Sequence, residues 1–225
     1  MNISERALED EEARLASASL ASGDPTGWFD RLYAAGAAGR VPLPWSRRDP
    51  HPLLAQWARR HHLAGVGKRA IVPGCALGAD AEYLAELGFA TTAFDISPTA
   101  TRLARHRHPD SPVEYATADL LHLPRPWQRA FDLVAEVITV QALPRAVRHQ
   151  ATTSVAQLIA PGGTLLVIAA VDDGTSEPAG PPWPLTRAEI ESFAVGGLTL
   201  AAAEITTMPG EPAERRWRAE FHRRR

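Results

Sequence analysis

The stretch from Ala70 to Pro98 decides the fold: it begins Ala-Ile-Val-Pro-Gly-Cys-Ala-Leu-Gly-Ala-Asp and ends Thr-Thr-Ala-Phe-Asp-Ile-Ser-Pro. An apolar strand runs into a Gly-rich turn, a helical pattern follows, and a second strand ends at Asp95. Asp95 follows Gly74 by about 20 residues, a spacing typical of a βαβ unit that binds a nucleoside. Because its carboxylate can accept two hydrogen bonds from a ribose diol, we predict a nucleoside-cofactor site here.

The Gly-rich turn is compatible with two cofactors. Residues 74–79 fit the G-x-G-x-x-G/A pattern of dinucleotide sites, with Ala76 in the middle position. They fit the related G-x-G-x-G loop of S-adenosylmethionine (SAM) sites with the same exception. Small residues at Gly74, Ala76 and Gly78 are expected to let the backbone pass close to a ligand. The turn alone leaves the choice between the two cofactors open.

The segments that follow favour SAM. A third predicted strand ends at Asp119, a fourth ends at Glu136, and an Ala-Pro-Gly-Gly turn leads into a fifth buried strand. This ordered series, over roughly residues 66–171, resembles that of class I SAM-dependent methyltransferases. The resemblance implies an α/β, Rossmann-like, seven-stranded and mostly parallel sheet with helices on both faces, an N-terminal helical lid and a C-terminal antiparallel hairpin.

The end of the chain separates the methyltransferase fold from a dinucleotide domain. Residues 198–207 and 215–222 are predicted to form two strands joined by a Met-Pro-Gly-Glu-Pro turn. A closing antiparallel hairpin is typical of the methyltransferase fold, and a standard dinucleotide domain lacks it. A short-chain NAD-dependent reductase would also need Tyr-x-x-x-Lys, but the single lysine, Lys68, precedes the first strand.

A narrower resemblance concerns three short motifs. Residues 72–75 (Val-Pro-Gly-Cys) with Asp80, residues 28–36 (Trp-Phe-Asp-Arg-Leu-Tyr-Ala-Ala-Gly) and residues 180–185 (Gly-Pro-Pro-Trp-Pro-Leu) resemble the thiopurine methyltransferase-like group, which includes thiol and halide methyltransferases. This resemblance implies methyl transfer to a small molecule, with a soft nucleophile such as a thiol favoured. An O- or N-methyltransferase of a secondary metabolite and a non-catalytic SAM-binding module are the alternatives.

Two regions are expected along the chain, an N-terminal extension and lid over residues 1–52 and a SAM-binding domain over residues 53–225. Residues 1–23 form an acidic helical pattern with a weak apolar face, which a loosely attached extension would also show. The aromatic side chains between residues 24 and 52 need a surface that buries them. The cofactor cleft and the edge of the domain are both candidates for that surface.

The candidate cofactor-binding residues lie in these segments: Trp28, Trp45, Gly74, Cys75, Ala76, Gly78, Asp80, Asp95, Ile96, Asp119, Leu120 and Glu136. We expect Asp95 to hold the ribose and Asp119 to accept from the adenine amine. Asp80 either caps a helix or contacts the ligand, and Glu136 either meets an amino group or caps a loop. Trp183 is the candidate for substrate binding.

Methyl transfer makes modest demands on acid–base chemistry. It is an in-line displacement at an activated carbon, so alignment of the reactants supplies much of the rate. A thiol with a pKa of about 8.5 ionises readily, whereas a phenol or alcohol would want a base. Glu136, His51 and His149 are candidate bases, although a lone histidine is more often structural. The single cysteine and scattered histidines lack the spacing of metal ligands.

Composition narrows the possible partners and location. The 225 residues carry a formal net charge of −2 and one cysteine. This balance argues against general binding of nucleic acid, and alternation within residues 215–222 indicates a solvated strand face instead of a basic patch. No apolar run is long enough to span a membrane and no secretory signal is evident. We expect a cytoplasmic monomer or homodimer that acts on a small molecule.

Overall fold

A single sheet of seven strands organises the computed structural model, which describes residues 3–174, 180–208 and 211–225. The strands are β1 (Arg69–Pro73), β2 (Ala90–Asp95), β3 (Glu114–Thr117), β4 (Phe131–Val137), β5 (Ile159–Ala170), β6 (Leu198–Met208) and β7 (Glu211–Arg223). The helices are α1 (Ile3–Ala21), α2 (Gly27–Ala37), α3 (Pro52–Arg60), α4 (Ala79–Glu86), α5 (Pro98–Arg107), α6 (Arg145–Leu158) and α7 (Arg187–Glu191).

The order of the strands is β3-β2-β1-β4-β5-β7-β6. The first five pair in parallel, and β7 pairs antiparallel with both β5 and β6. The chain order therefore reverses between β1 and β4, and the loops after these strands diverge there. Such a switch point leaves a crevice at the carboxyl ends of the strands, where open α/β sheets bind their ligands. The predicted fold class is confirmed.

Helices cover both faces of the sheet because the central strands are apolar on both sides. Along β1, Ile71 packs into a cluster with residues of α6 and α7, and Val72 packs into a cluster with α3 and α4 on the other face. Ile71 is fully buried, and so are Val134 of β4 and Leu165 of β5. Near-continuous apolar strands of this kind are typical of a parallel sheet that is buried on both faces.

The N-terminal helix is packed onto the protein. Leu15 and Ala16 of α1 are buried in one cluster with Trp28 and Leu32 of α2. Ser19, also on α1, is fully buried and donates a hydrogen bond to the carbonyl of Asp24, 2.8 Å away. The helix α1 is therefore not the loosely attached extension that the sequence analysis left open.

The C-terminal hairpin is present, but one of its faces differs from the prediction. Arg218 of β7 is buried, and its guanidinium donates to Glu204 of β6 and to Gln56 of α3. Trp57 of α3 donates a 2.9 Å hydrogen bond to Glu220 of β7. The expected solvated face of residues 215–222 is thus partly covered by α3. The turn between the strands, at residues 209 and 210, lies outside the described residues.

Candidate cofactor and substrate cavity

A cavity of about 180 Å³ lies at the carboxyl ends of the central strands. One side, which we name the sheet-edge wall, is formed by lining residues from the ranges 74–80, 94–96, 118–121 and 137–143. The other side, which we name the cover, consists of Glu12, Thr26, Phe29, Tyr33, Trp45 and Arg47. Pro182 also lines the cavity. The sheet and the N-terminal segment therefore enclose a common site.

Asp95 lies at the end of β2 and lines the cavity although it is buried. Its oxygens accept hydrogen bonds from the backbone N–H groups of Ala76 (3.1 Å) and Ser97 (2.9 Å). Burial raises the pKa of Asp95 to about 6, while the two backbone donors act in the opposite direction. A carboxylate can accept about four hydrogen bonds, so Asp95 keeps capacity for the hydroxyl groups of a ligand.

The glycines of the turn are required by neighbouring protein side chains. Gly74 has φ +58° and Gly78 has φ +94°, a region that favours glycine. A Cβ at Gly74 would collide with the side chain of Thr139, and one at Gly78 would collide with the hydroxyl of Tyr115. The sequence-based expectation named close approach of a ligand as the reason. Gly74 does line the cavity, whereas Gly78 is not among the lining residues.

The middle position of the turn carries a strained residue. Ala76 has φ +49°, a conformation that non-glycine residues adopt uncommonly. The hydrogen bond from its N–H to Asp95 holds the turn against the end of β2. Cys75 and Ala76 both line the cavity, and burial, with the field of Asp95, raises the pKa of the Cys75 thiol well above its usual value. Cys75 is therefore a neutral packing residue.

Asp119 lies just after β3 and begins a short 3₁₀ turn that continues through Leu120. One oxygen accepts from the backbone N–H of Leu121 at 2.8 Å, and the other lies 2.7 Å from Nδ1 of His122. Asp119, Leu120 and Leu121 all line the cavity. The arrangement places an acceptor beside two apolar side chains, a combination that suits the edge and face of a purine.

Asp80 joins the sheet-edge wall to the cover. One oxygen accepts from the backbone N–H of His51 at 2.6 Å, and the other accepts from the Arg47 guanidinium at 3.3 Å. Burial raises the pKa of Asp80, and Arg47 opposes this effect. The residue lies in the first turn of α4, whose N-cap is Gly78, so Asp80 anchors the N-terminal segment and does not cap the helix.

His51 is a capping residue. Its Nδ1 accepts from the backbone N–H of Leu53 at the start of α3, 3.2 Å away. Burial lowers the pKa of His51 to about 3, with the charges of Arg47 and Arg216 acting in the same direction. Among the described residues His51 does not line the cavity, and neither does His149, which is exposed. The structure gives neither candidate base a place at the site.

Glu136 caps a loop, which is the second of the two roles that the sequence left open. Oε1 accepts from the backbone N–H groups of Thr139 (2.8 Å) and Val140 (2.7 Å), so the side chain caps the loop after β4. Oε2 is buried and accepts no hydrogen bond from the described residues. Burial raises the pKa of Glu136 to about 7. The side chain is not among the lining residues, so its expected contact with a cofactor or substrate has no support here.

The aromatic residues of the N-terminal segment divide into two groups. Trp28 is buried against α1 and stacks on Phe29 with 3.9 Å between ring centroids. Phe29, Tyr33 and Trp45 line the cavity instead, and the Trp45 ring lies 5.4 Å from that of Tyr33. Of the two tryptophans expected to touch the cofactor, only Trp45 therefore lies at the cavity.

Trp183 is held beside the site by main-chain contacts. Its N–H donates to the carbonyl of Gln141 at 2.8 Å, and its carbonyl accepts from Arg148 at 2.9 Å. Its neighbour Pro182 lines the cavity, and Trp183 does not. Substrate binding by Trp183 therefore stays a prediction.

Sequence reasoning did not single out several lining residues: Glu12, Thr26, Phe29, Tyr33, Arg47, Leu77, Ala79, Phe94, Ala118, Val137, Ile138, Thr139, Ala142, Leu143 and Pro182. Many are apolar and have no motif of their own. A signal did exist for the loop after β4, because residues that follow a parallel strand at the switch point face the ligand crevice. Glu12 could also have been found from the sequence, because it is a carboxylate within an apolar helical stripe.

The donor and acceptor set of the cavity fits a nucleoside cofactor that carries a positive charge. Asp80, Asp95 and Asp119 supply acidic acceptors on one wall, and apolar side chains lie between them. Within the described ranges, no group of three or more His, Cys, Asp or Glu side chains is arranged to hold a metal ion. None of the helices described there is long and apolar enough to cross a bilayer.

Solved structures share this architecture. The N-methyltransferase NodS from Bradyrhizobium japonicum, crystallised with S-adenosylhomocysteine, has a TM-score of 0.63 and 22% identity, over 80% of this chain and 91% of that one. A structure from work on the conversion of a disulfide bond into a thioacetal group in echinomycin biosynthesis has a TM-score of 0.71 and 21% identity, over 88% and 91%. The fold is that of SAM-dependent methyltransferases.

Sequence comparison then gives the family. The model of the thiopurine S-methyltransferase family matches residues 37–220. A probable thiol methyltransferase 2 of Arabidopsis thaliana is 26% identical over 217 residues, covering 90% of each chain. A thiopurine S-methyltransferase of Vibrio cholerae is 28% identical over 191 residues, covering 77% of this chain and 82% of its own. The chain belongs to the thiopurine S-methyltransferase family, and it is an SAM-dependent methyltransferase.

Proposed function

We propose that this enzyme methylates the sulfur of a small thiol. The observation that carries the proposal is one cavity in which a wall of carboxylates faces an aromatic cover, in a chain of this family. A thiol with a pKa of about 8.5 is a good nucleophile once ionised and needs little further activation. The apolar rings of Phe29 and Trp45 suit the body of such an acceptor better than a highly charged one.

We propose distinct roles for the residues of the sheet-edge wall. Asp95 accepts from the ribose hydroxyls, and Asp119 accepts from the exocyclic amine of the adenine, with Leu120 and Ile96 against its ring. The turn at residues 74–78, together with Arg47 of the cover, takes the charged end of the cofactor, since guanidinium groups pair well with carboxylates. When bound, SAM supplies a methyl carbon that its positive sulfur has already activated.

The residues of the enzyme then contribute by positioning the reactants. The sheet-edge wall fixes the cofactor, and the cover holds the acceptor sulfur on the far side of the methyl group. Alignment of this kind replaces a bimolecular encounter and can lower the barrier by several kcal/mol. The apolar cover also excludes water, which strengthens the electrostatic interactions inside the cavity.

The location and assembly are also part of the proposal. The single cysteine, buried at the cavity, suits a reducing compartment, and the cytoplasm is therefore the expected location. In the Arg-rich strand β7, Arg218 forms an internal ion pair with Glu204. Because its charge is already paired, we favour a small-molecule partner over a nucleic acid. We expect a monomer or homodimer, and sedimentation velocity measures which.

Transfer of a labelled methyl group tests the proposal. The purified enzyme and labelled SAM are incubated separately with an alkyl thiol, an arenethiol, a phenol, an amine and iodide at equal concentration. Labelled methyl thioether from the thiols at a rate far above that of the other acceptors supports the proposal. Methylation of the phenol or amine alone would replace it with an O- or N-methyltransferase, and methylation of iodide alone would replace it with a halide methyltransferase.

A further inference from the structure

A carboxylate lies within the buried stripe of the N-terminal helix. Leu8, Leu15, Ala16 and Ser19 follow the spacing of one face of α1, and this face packs on α2. Glu12 belongs to the same face, four residues after Leu8 and three before Leu15. A charged side chain in such a stripe costs stability unless it is paired. At this position we therefore expect the Glu12 carboxylate to have a hydrogen-bond or ionic partner.

One oxygen of Glu12 has no hydrogen-bond partner in the part of the chain that the structure describes. Oε1 of Glu12 is buried and accepts no hydrogen bond from the residues that are described. Glu12 also lines the cavity, on the cover side with Thr26, Phe29 and Trp45. An unpaired oxygen buried beside a ligand cavity is placed to receive a proton or hydrogen bond from the ligand itself.

The other carboxylates that line the cavity are already engaged, and Glu136, whose Oε2 is also buried without a partner among the described residues, does not line the cavity. Asp80 and Asp95 accept from backbone N–H groups of neighbouring loops, and Asp119 and Glu136 accept from the turns that they cap. Those that line the cavity belong to the sheet-edge wall, whereas Glu12 belongs to the cover. Glu12 is therefore the acidic side chain that the cover offers to an acceptor.

We infer that Glu12 is the general base that removes the proton of the methyl acceptor, an inference that rests on the proposed thiol methylation. The S–H proton passes to the Glu12 carboxylate, and the acceptor sulfur uses its electron pair to form the new S–CH₃ bond. The bond between the methyl carbon and the cofactor sulfur breaks, and its electrons return to that sulfur. Glu12 then releases the proton to solvent, so that atoms and charges balance.

The environment of Glu12 suits this role at neutral pH. Burial raises the pKa of Glu12 to about 7, and the negative charge of Glu9, on the same helix, adds to the effect. The titratable and charged groups that line the cavity with it are Tyr33 and Arg47 of the cover and Cys75, Asp80, Asp95 and Asp119 of the sheet-edge wall. A base is most effective when its pKa lies near the working pH, because it is then both ionised and basic enough.

Acceptors of different acidity separate proton removal from simple positioning. At pH 7.5 an alkyl thiol is mostly protonated, whereas an electron-poor arenethiol is already ionised. For Glu12→Gln we expect kcat/KM to fall about 100-fold or more with the alkyl thiol and to stay within about threefold with the arenethiol. Glu12→Asp, which keeps the carboxylate, should restore part of the loss. Asp10→Asn, an exposed carboxylate of the same helix, is the matched control and should change neither value.

The pH profile of the unaltered enzyme provides a second readout that needs no variant. At saturating SAM, kcat/KM for the alkyl thiol should rise near pH 7, and the arenethiol should lack this step. In Glu12→Gln the step near pH 7 should disappear, leaving the ionisation of the thiol itself near pH 8.5. Titration with S-adenosylhomocysteine should give the same affinity for the variant and the wild type, which shows that the cofactor site is intact.

Four results would overturn the inference, and the last of them would also overturn the proposed function. Equal losses with both acceptors would mean that Glu12 only positions the substrate, and no loss with the alkyl thiol would mean that it has no part in the reaction. Absence of the step near pH 7 in the wild type would exclude the proton transfer directly. A wild type that binds S-adenosylhomocysteine but methylates neither thiol would instead refute the proposed function and the inference with it.

Discussion

The two sides of the cavity are built in different ways. The sheet-edge wall is made of turns that follow parallel strands, and its carboxylates are fixed by backbone N–H groups, as Asp95 is by Ala76 and Ser97. The cover is made of side chains from α1, α2 and the segment before α3, and aromatic packing holds it in place. One side is fixed by main-chain geometry, and the other by the burial of large side chains.

This difference separates the two tasks of the enzyme. Main-chain turns vary little when side chains change, so the sheet-edge wall suits a cofactor that is the same for every SAM-dependent methyltransferase. A cover made of side chains can change its shape with few substitutions, so it suits a variable acceptor. Variants of the wall should therefore affect cofactor binding, and variants of the cover should affect stability or the acceptor.

The largest effect on stability is expected from Trp28→Ala, because Trp28 packs behind the cover against Phe29. Trp28 is buried against Phe29 and the cluster of α1, so its removal leaves a cavity and should lower the free energy of unfolding by about 3–5 kcal/mol. Urea denaturation measures this value. Val66→Ala, at a side chain that is 83% exposed, is the control and should cost less than about 0.5 kcal/mol. A small loss for Trp28→Ala would mean that the cover does not depend on this packing.

Glu136→Gln tests the loop behind the sheet-edge wall. Burial raises the pKa of Glu136 to about 7, so the folded state binds the proton more tightly than the unfolded state, where the ordinary value is 4.5. The wild type should therefore lose stability as the pH rises from 5 to 8, and the variant should lose less, by about 1–3 kcal/mol. Thermal or urea unfolding at both pH values measures the difference.

The control for that experiment is Glu86→Gln, an exposed glutamate at the end of α4. It should follow the pH dependence of the wild type. A Glu136→Gln variant with an unchanged pH dependence would show that Glu136 is not held as a buried, partly protonated group.

Cofactor affinity should depend on pH through Asp95. Burial raises the pKa of Asp95 to about 6, and the ionised form is the better acceptor for ribose hydroxyls. The affinity for S-adenosylhomocysteine should therefore fall about tenfold as the pH is lowered from 7 to 5. Asp95→Asn should bind more weakly at pH 7 and show a flatter dependence. An affinity that stays constant for the wild type would contradict the role of the carboxylate.

The smallest change in stability is expected from Trp45→Ala. Trp45 is 39% exposed, so its loss should lower the free energy of unfolding by less than about 1 kcal/mol. Because its ring lines the cavity, the KM of the acceptor should rise more than the dissociation constant of S-adenosylhomocysteine. The opposite order, with cofactor binding the more affected, would assign Trp45 to the cofactor side of the cavity.

The sequence predicted the sheet-edge wall better than the cover, for a physical reason. Asp95 and Asp119 follow strands whose apolar runs and turns are local signals, and the parallel sheet brings strand ends to one edge. Trp28 and Phe29 are adjacent on one helix, and only the packing of α1 decides which of them is buried and which lines the cavity.

Glu136 and His51 show a second limit of the sequence. Glu136 lies near the end of a strand and His51 lies just before a helix. At such positions the sequence pattern is the same for a residue that contacts a ligand and for one that caps the element. The loop after β4 supplies two N–H groups to Glu136, and the first turn of α3 supplies one to His51. These partners are backbone groups that become available only once the loop has its final course.

Calorimetric titration of the wild type and Asp95→Ala with S-adenosylhomocysteine, with NADH in parallel, tests the central claim most directly. The sheet-edge wall predicts micromolar binding of S-adenosylhomocysteine by the wild type, loss of this binding in Asp95→Ala, and no binding of NADH. A folded wild type that binds no S-adenosylhomocysteine, or an Asp95→Ala variant that binds it equally well, would contradict the assignment of the wall to the cofactor.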